Sequence, residues 1–492
     1  MNGMPPVPGS QPNLLVIISD EHRPDAMGCA GHPFVRTPNL DALANRGTRF
    51  TNAYCASPMC VPTRAALSTG RHVHRDRFWD SATPYDGSVK SWMHNLRDAG
   101  IATTSIGKLH FRHGEDDNGF GEEILPMHVV GGVGWAIGLL RDNPPEYDVA
   151  AELALQSGRG SSSYTDYDLA ITDAAESWLQ APERSEAPWA AFVSLVSPHF
   201  PLTAPAAFYD LYADRCFDLT PQSVPDHPEI KAIDAFFDHD RHFTSEHRHA
   251  ALAAYFGLTS FLDNCIGRIM AALRASGQAD NTIILYLSDH GEMLGDKGLW
   301  TKQVMYEASA KIPMILSGPG VPENLLCNTA VSHVDLAATA HDCMGLPPAP
   351  DGDGTSLMRI AQAPDDPDRT VLSEYHDGGS STGAFMVRWQ DWKYVHYVGM
   401  RPQLFDLQAD PDENHDLGTS SAANAVAARS EGLKRLQSIC DPEAVNGQCF
   451  ADQAARIETL GGRKACQEAY LFNHTPTPVE QARMAARDDR AV

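Results

Sequence analysis

Two short apolar runs, residues 14–18 and 282–287, constrain the fold of this 492-residue chain most strongly. Each run is followed by a serine and then by an aspartate, Asp20 in the first case and Asp289 in the second. Short continuous apolar runs are typical of parallel strands that are buried on both faces. In open α/β sheets, ligands bind at the carboxyl ends of such strands. The sequence therefore predicts two central strands that lie side by side and end in acidic groups.

A charged, proline-rich stretch at residues 348–369 is the best candidate for a domain boundary. We predict an N-terminal α/β domain at residues 1–370, whose large mixed, mostly parallel sheet is sandwiched by helices. Short alternating segments farther on predict a C-terminal subdomain at residues 371–492, with a small antiparallel sheet and a helical tail. The polar tail, residues 420–492, either wraps around a neighbouring subunit or lies in solvent.

Composition excludes several classes of function. The net charge of −25 disfavours nucleic acids and anionic membranes as partners. No run of 18 apolar residues is present, so we expect no membrane span. Residues 1–12 lack the basic and apolar regions of a signal peptide, and we therefore expect a cytoplasmic protein. The ten cysteines have no regular spacing, which favours free thiols.

A short helix is predicted to begin at Cys60. Pro62 suits the first turn of a helix, and Gly70 is a plausible end. Cys60 then lies beside unpaired backbone N–H groups at the positive end of the helix dipole, where anions bind. Arg64, one turn farther on, is close enough to point back at Cys60.

Two other interpretations of Cys60 stay open on the residues alone. A lone cysteine is often a small buried apolar side chain. Cys55, Cys60, His72 and His74 can also be combined into a zinc site, although their spacing fits no common structural pattern.

The pattern Cys-x-Pro-x-Arg at residues 60–64, followed by Ala-x-x-x-Thr-Gly-Arg, resembles the signature of the type I sulfatases. Five motifs in the order of that family cover residues 13–417. The resemblance implies an alkaline-phosphatase-like fold. It also implies that Cys60 is oxidised to formylglycine, whose hydrate is the nucleophile, by a formylglycine-generating or sulfatase-maturing enzyme.

The resemblance further implies a site for one divalent cation. Its ligands would be Asp20, Glu21, Cys60 as formylglycine, Asp289 and His290. The family usually has Asp at the position of Glu21, so this chain departs from the pattern there. Oxygen ligands with one histidine suit calcium, with manganese or magnesium as alternatives.

Further residues match the sulfate-binding and catalytic positions of the family. Lys108 and His110 match Gly-Lys-x-His, in which Lys contacts sulfate and formylglycine oxygens and His assists the formylglycine hydroxyl. On spacing alone the two side chains face the same way, which a solvated turn also allows. His199, in Pro-His-x-Pro, would contact sulfate and the leaving oxygen, and Lys302 would bind sulfate. The predicted catalytic residues are therefore Cys60, Arg64, Lys108, His110, His199 and Lys302.

Together these residues predict a sulfuric ester hydrolase. Its substrates would be small-molecule sulfate monoesters of aryl or small alkyl alcohols such as choline. Trp135, in the long insertion 113–165, lies where choline sulfatases have an aromatic side chain that faces the quaternary ammonium. We also expect a homo-oligomer, either a dimer or a tetramer.

Two alternative functions stay open. One is hydrolysis of phosphonate or phosphate esters on the same scaffold. Phosphonate monoester hydrolases resemble Tyr-x-Thr where this chain has Lys108-x-His110, which favours sulfate. The other is a sulfate-ester-binding protein in which Cys60 is unmodified.

Overall fold

The structure is a computed structural model that describes residues 11–147, 149–349, 351–469 and 474–488. The expected absence of a signal peptide in residues 1–12 lies largely outside these ranges. The strands are β1 (Asn13–Asp20), β2 (Gly47–Phe50), β3 (Ala53–Tyr54), β4 (Ala102–Lys108), β5 (Glu122–Met127), β6 (Gly158–Arg159), β7 (Trp189–Pro198), β8 (Thr203–Ala204), β9 (Thr282–Ser288), β10 (Met314–Ser317), β11 (Leu325–Cys327), β12 (Val331–Ser332), β13 (Val371–Tyr375), β14 (Ala384–Trp389), β15 (Trp392–Tyr397) and β16 (Gln403–Asp406).

The helices lie on both sides of the sheet and in the C-terminal region. They are α1 (Pro38–Asn45), α2 (Cys60–Thr69), α3 (Val73–Asp76), α4 (Trp92–Asp98), α5 (Ala150–Leu155), α6 (Ser163–Gln180), α7 (Ala206–Tyr209), α8 (Pro228–Phe237), α9 (Ser245–Ala275), α10 (Glu307–Ala310), α11 (Asp335–Cys343), α12 (Leu357–Gln362), α13 (Ala423–Ile439), α14 (Pro442–Thr459), α15 (Arg463–Glu468) and α16 (Pro478–Asp488). Among the described helices, none is both long and apolar enough to cross a membrane.

The predicted large mixed, mostly parallel sheet is confirmed. It has eight strands in the order β11-β2-β10-β9-β1-β7-β4-β5. The two apolar runs lie side by side as expected, because β1 pairs in parallel with β9. On its other edge β1 pairs in parallel with β7, which pairs in parallel with β4. Only β10 runs antiparallel to its neighbours β9 and β2.

Strand β1 shows why the sheet is covered by helices on both faces. Leu14, Val16 and Ile18 pack into one apolar cluster, and Leu15 and Ile17 pack into another. Successive side chains of a strand point to opposite faces, so a continuous apolar run needs an apolar layer on each side. The second cluster includes residues of α6 and α9, and the first includes residues of α4 and α11.

The small antiparallel sheet is also confirmed. Strands β13, β14, β15 and β16 pair in sequence order. One face packs against α13, while other side chains of the same strands join the first cluster of the large sheet. The apolar core therefore crosses the predicted boundary between residues 370 and 371.

The C-terminal tail folds back onto its own chain over its described residues. Gln453, in α14, donates a hydrogen bond to Asp80 Oδ2 at 2.7 Å. In α16, Gln481 donates to the carbonyl oxygen of His128 at 3.2 Å. These contacts place the tail beside the large domain of the same subunit.

Candidate active site

Four adjacent parallel strands deliver the predicted site residues to one edge of the sheet. Strand β1 ends at Asp20, and Asp289 directly follows β9. His199 directly follows β7, and β4 ends at Lys108, two residues before His110. Because the strands β9, β1, β7 and β4 are neighbours, their carboxyl ends bring together residues that are far apart in sequence.

Helix α2 brings Cys60 to this edge. Cys60 is its first residue and is 4% exposed. The helix ends as predicted at Gly70, which has φ 71° and lies against Ala337 so closely that a Cβ atom would approach that side chain to 2.4 Å. Every residue of α2 is buried, so the position of Cys60 is fixed by packing along the whole helix.

Arg64 organises the carboxylates of the site. Its Nε donates to Asp289 Oδ2 at 2.9 Å, and one terminal nitrogen donates to Asp20 Oδ2 at 3.3 Å. The other terminal nitrogen donates to the Lys108 carbonyl oxygen and to Ser194 Oγ, both at 3.0 Å. All of these side chains are buried. The guanidinium thus links residues that lie in, or directly after, four strands. It also compensates the negative charge of the two buried carboxylates.

Four of the predicted metal ligands form one buried group. The side chains of Asp20, Cys60, Asp289 and His290 each offer a ligand atom, and these atoms lie within 4.8 Å of one another. Cys60 Sγ lies 3.0 Å from His290 Nε2 and 3.5 Å from Asp20 Oδ1. Burial alone would raise the pKa of Asp20, but Lys108 and the other nearby cations hold it well below its ordinary value. An ionised carboxylate at this position suits a divalent cation.

Glu21 lies outside this four-residue group. Its Oε1 lies 3.1 Å from Lys302 Nζ, and its Oε2 lies 3.5 Å from His199 Nε2. The carboxylate belongs instead to a group with Asp20 and His199. Burial raises the pKa of Glu21, and nearby Glu292 raises it further against the opposing effect of Lys302.

The alternative zinc site does not form among the described residues. Cys55 Sγ contacts Ser373 Oγ at 3.8 Å. His74 Nδ1 pairs with Glu374 Oε1 at 2.8 Å. Neither side chain joins a metal-binding group with Cys60.

Lys108 and His110 both lie in the site. Lys108 is completely buried, and its ammonium forms an ion pair with Asp20 Oδ2. His110 has φ 56°, and neither of its buried ring nitrogens has a hydrogen-bond partner in the described part of the chain. Burial first, and then the Lys108 charge, lower the pKa of His110 well below its ordinary value. His110 is therefore neutral and can accept a proton.

Lys302 and His199 form a second pair of predicted catalytic residues. Lys302 Nζ lies 2.9 Å from His199 Nε2 and 4.9 Å from the centre of the Phe200 ring. Burial opposes the charge of Lys302, but Cys60, Glu21 and the aspartates of the site raise its pKa above the ordinary value. Burial and the Lys302 charge lower the pKa of His199 well below its ordinary value. The pair is thus a charged lysine beside a neutral histidine.

These groups line a pocket with aromatic walls. Trp135 is half-buried, and its ring stacks on Phe237 with a centroid distance of 6.0 Å and an interplanar angle of 20°. The Tyr147 ring meets Trp135 edge-on at 6.1 Å. The full lining comprises Met59, Cys60, Val61, Ser81, His110, Val129, Val130, Gly134, Trp135, Tyr147, Tyr164, His199, Phe200, Phe237, Lys302, Gln303, His474 and Thr475. No carboxylate is among these described lining residues.

Several lining residues were not predicted from the sequence. His474 and Thr475 come from the tail, and the Tyr164 hydroxyl donates to the Thr475 carbonyl oxygen at 2.7 Å. Phe237 ends α8, whose apolar stripe was a usable signal for burial but not for its place beside the pocket. No local pattern marks His474 or Thr475, because only tertiary packing brings them to the site.

Two protein-family models match this chain. A family model described as Sulfatase matches residues 12–346. A second, described as N-sulphoglucosamine sulphohydrolase, C-terminal, matches residues 295–439. Together they cover both sheets.

Two relatives are similar over most of the chain. Choline-sulfatase of Rhizobium meliloti (strain 1021) is 32% identical over 499 residues, which cover 95% of this chain and 94% of the relative. Arylsulfatase K of Homo sapiens is 28% identical over 431 residues, which cover 82% of this chain and 78% of the relative.

Solved structures show the same fold. Phosphonate monoester hydrolase of Agrobacterium radiobacter aligns with a TM-score of 0.70 at 24% identity, covering 87% of this chain and 95% of that one. A protein solved in complex with its substrate D-glucosamine-2-N,6-O-disulfate aligns with a TM-score of 0.70 at 21% identity, covering 90% and 99%.

Proposed function

The chain belongs to the sulfatase family and hydrolyses sulfate esters, and we propose that Cys60, once oxidised to formylglycine, supplies its nucleophile. The observation that carries this proposal is the position of Cys60 Sγ, which lies among Asp20, Asp289 and His290 at the base of the pocket. Burial raises the pKa of the Cys60 thiol, so the unmodified side chain is a poor nucleophile at neutral pH.

We propose that the four-residue group holds one divalent cation. Two aspartates and one histidine are a suitable donor set, and oxidation of Cys60 would replace its sulfur by oxygen. Oxygen-rich sites of this kind favour calcium, with manganese and magnesium as alternatives. When bound, the cation supplies Lewis-acid stabilisation of a sulfate oxygen.

The surrounding residues have separate roles in the proposed mechanism. A hydrated formylglycine supplies two hydroxyl groups, one to attack sulfur and one to release sulfate. Asp289, whose carboxylate lies within 4.8 Å of the Cys60 side chain, would accept the proton of the attacking hydroxyl. Lys108 and Lys302 neutralise sulfate oxygens, which gain charge in the transition state. Neutral His110 accepts the proton of the second hydroxyl.

Lys302 also serves the leaving group. Its charged ammonium can donate a hydrogen bond to the alcohol oxygen as the S–O bond breaks. Neutral His199 accepts a hydrogen bond from Lys302 and keeps the ammonium oriented. Arg64 donates to the carboxylates of Asp20 and Asp289 and holds them in place.

For the alcohol part of the substrate, we propose an aryl or compact alkyl group that packs against Trp135. The stacked Trp135 and Phe237 rings offer a flat apolar surface. Aromatic rings also bind quaternary ammonium groups by cation–π attraction. We therefore propose both aryl sulfates and choline sulfate as substrates.

The test uses protein produced together with a formylglycine-generating enzyme. Mass spectrometry would measure the aldehyde at residue 60, and kcat/KM would be compared for 4-nitrophenyl sulfate, choline sulfate and an aryl phosphonate monoester. Cys60→Ala should abolish turnover and leave the circular dichroism spectrum unchanged. Full activity of that variant, or a higher kcat/KM for the phosphonate, would overturn the proposal.

The remaining proposals concern the domain division, the oligomeric state and the location of the protein in the cell. We propose the division into residues 1–370 and 371–492, a homodimer or homotetramer, and a cytoplasmic location. Limited proteolysis, light scattering and cell fractionation would test these three proposals separately.

A further inference from the structure

The carboxylate of Glu21 faces the leaving-group residues of the site. Lys302 Nζ lies 3.1 Å from Glu21 Oε1 and 2.9 Å from His199 Nε2. We propose that Glu21 is a positioning residue that orients Lys302 toward the leaving oxygen, rather than a ligand of the cation. This inference rests on the proposed function, which assigns Lys302 to the leaving group.

The geometry of an ammonium group supports this role. A lysine ammonium carries three N–H bonds in fixed directions. One of them is donated to His199 Nε2, the Glu21 carboxylate forms an ion pair with the same nitrogen, and Lys302 also lines the pocket. These two contacts restrict the position of the ammonium group and leave an N–H for a group in the pocket.

His199 can accept a hydrogen bond from Lys302 because of its own backbone contact. Its Nδ1 lies 2.6 Å from the Phe200 carbonyl oxygen, to which only a protonated ring nitrogen can donate. In the neutral ring, Nε2 is then the acceptor. His199 therefore accepts one N–H of Lys302, while Glu21 Oε1 attracts the same ammonium group in an ion pair.

The backbone conformation of Glu21 brings its side chain to Lys302. Glu21 has φ 67°, a conformation that L residues rarely adopt. Its N–H donates to Asp289 Oδ1 at 3.2 Å, and its carbonyl oxygen accepts from the Tyr255 hydroxyl at 2.8 Å. These two contacts fix the backbone, and the side chain then reaches Lys302. An aspartate is one methylene shorter and would not reach as far.

The effect of Glu21 on the rate should therefore depend on the leaving group of the ester. When the S–O bond breaks, its electron pair passes to the alcohol oxygen, which a correctly directed N–H of Lys302 stabilises. A good leaving group such as 4-nitrophenolate needs this help little, whereas phenolate or an alkoxide needs it strongly. Misplacing a catalytic group by about 1 Å can cost on the order of 10²-fold in rate.

The experiment compares Glu21→Ala, Glu21→Asp and Glu21→Gln with the wild type, all matured in the same way. Glu146→Ala removes an exposed carboxylate of the insertion and serves as the matched control. Metal content is measured by plasma mass spectrometry, and kcat/KM is measured for 4-nitrophenyl, phenyl and ethyl sulfate.

We expect wild-type metal content in all variants. Glu21→Ala and Glu21→Asp should lose about 10²-fold in kcat/KM on phenyl and ethyl sulfate, and much less on 4-nitrophenyl sulfate. Glu21→Gln retains the length but removes the charge of the ion pair, so it should show the same dependence on the leaving group as Glu21→Ala, with a smaller loss.

Loss of metal from both Glu21→Ala and Glu21→Gln would make Glu21 a ligand and overturn the inference. An equal loss of rate on all three esters at full metal content would also overturn it, since that result indicates a purely structural role. If Glu21→Ala does not fold, Glu21→Asp and Glu21→Gln decide the same question. Inactive wild-type protein would instead refute the proposed function, and the metal measurements would still report on Glu21.

Discussion

Arg64 Nε donates to Asp289 Oδ2 at 2.9 Å, and both side chains are almost completely buried. Arg64→Met should therefore destabilise the fold by about 3–5 kcal/mol, because it leaves buried carboxylates without their partner. Denaturant unfolding would measure this loss. Arg97→Ala removes a surface ion pair with Asp117 and should cost less than about 1 kcal/mol. Equal losses in the two variants would contradict the prediction.

Asp289→Asn should release the cation. The substitution keeps the shape of the side chain but removes one negative charge from the four-residue group, so the bound metal measured by plasma mass spectrometry should fall well below one per chain. Asp296→Asn is the control, because Asp296 pairs with Arg23 and is not in that group. Full metal occupancy with full activity in Asp289→Asn would rule out its role as a ligand.

Exchanging Lys108 and His110 for Tyr and Thr should reduce sulfatase activity selectively. Lys108 provides a fixed cation and His110 an unpartnered, neutral proton acceptor, and removing one stabilising group typically costs about 10²–10³-fold. The rate on an aryl phosphonate monoester should be spared or rise, since the nucleophile and the cation site are unchanged. A full sulfatase rate in the double variant would exclude both residues from the catalytic set.

Trp135→Ala should weaken the binding of aryl substrates. Its ring stacks on Phe237, and an aromatic pair contributes on the order of 1 kcal/mol beyond its buried area, so KM for 4-nitrophenyl sulfate should rise about fivefold. The KM for methyl sulfate, whose alcohol has no ring, is the control and should change little. An equal rise for both esters would show that Trp135 supports the fold of the pocket and does not contact the alcohol.

His333 should make the protein sensitive to mild acid. Burial lowers the pKa of His333 from 6.5 to about 4. Its Nδ1 accepts from the Ala56 N–H at 3.1 Å, and its Nε2 donates to the Ser288 carbonyl oxygen at 2.8 Å. Between pH 6.5 and 4 the unfolded chain binds a proton that the folded chain does not, so stability falls as pH falls.

The expected slope is about 1.4 kcal/mol per pH unit for this one group. Denaturant unfolding at pH 7.5, 5.5 and 4.5 would measure it. His333→Gln cannot bind this proton and should show a shallower dependence on pH. The same slope in both proteins would show that other groups cause the acid sensitivity.

The central sheet and most of the site were predictable because their signals are local. The apolar runs and the residues that end them specify strands β1 and β9, and parallel pairing then brings Asp20 and Asp289 together. Capping side chains set the starts of the long helices. Helix α9 begins at Ser245 because Thr244 caps its N-terminus. Helix α6 begins at Ser163 because Ser162 forms a capping box.

The pocket walls were not predictable in the same way. Tyr147, Phe237 and His474 meet through tertiary packing between distant segments, and no spacing pattern connects them. The direction of Glu21 was also missed. A positive φ at that residue turns its side chain toward Lys302, and nothing in the sequence marks this backbone conformation.

The burial of helix α2 limits the time at which Cys60 can be modified. Residues 60–64, which the proposed maturing enzyme would have to read, are all buried in the folded chain. On the proposed function, a second protein would reach this motif only while the segment is still extended. Each molecule would then commit to the active or the inactive form before it folds. A maturing enzyme supplied afterwards to the native, unmodified protein would find no exposed motif on which to act.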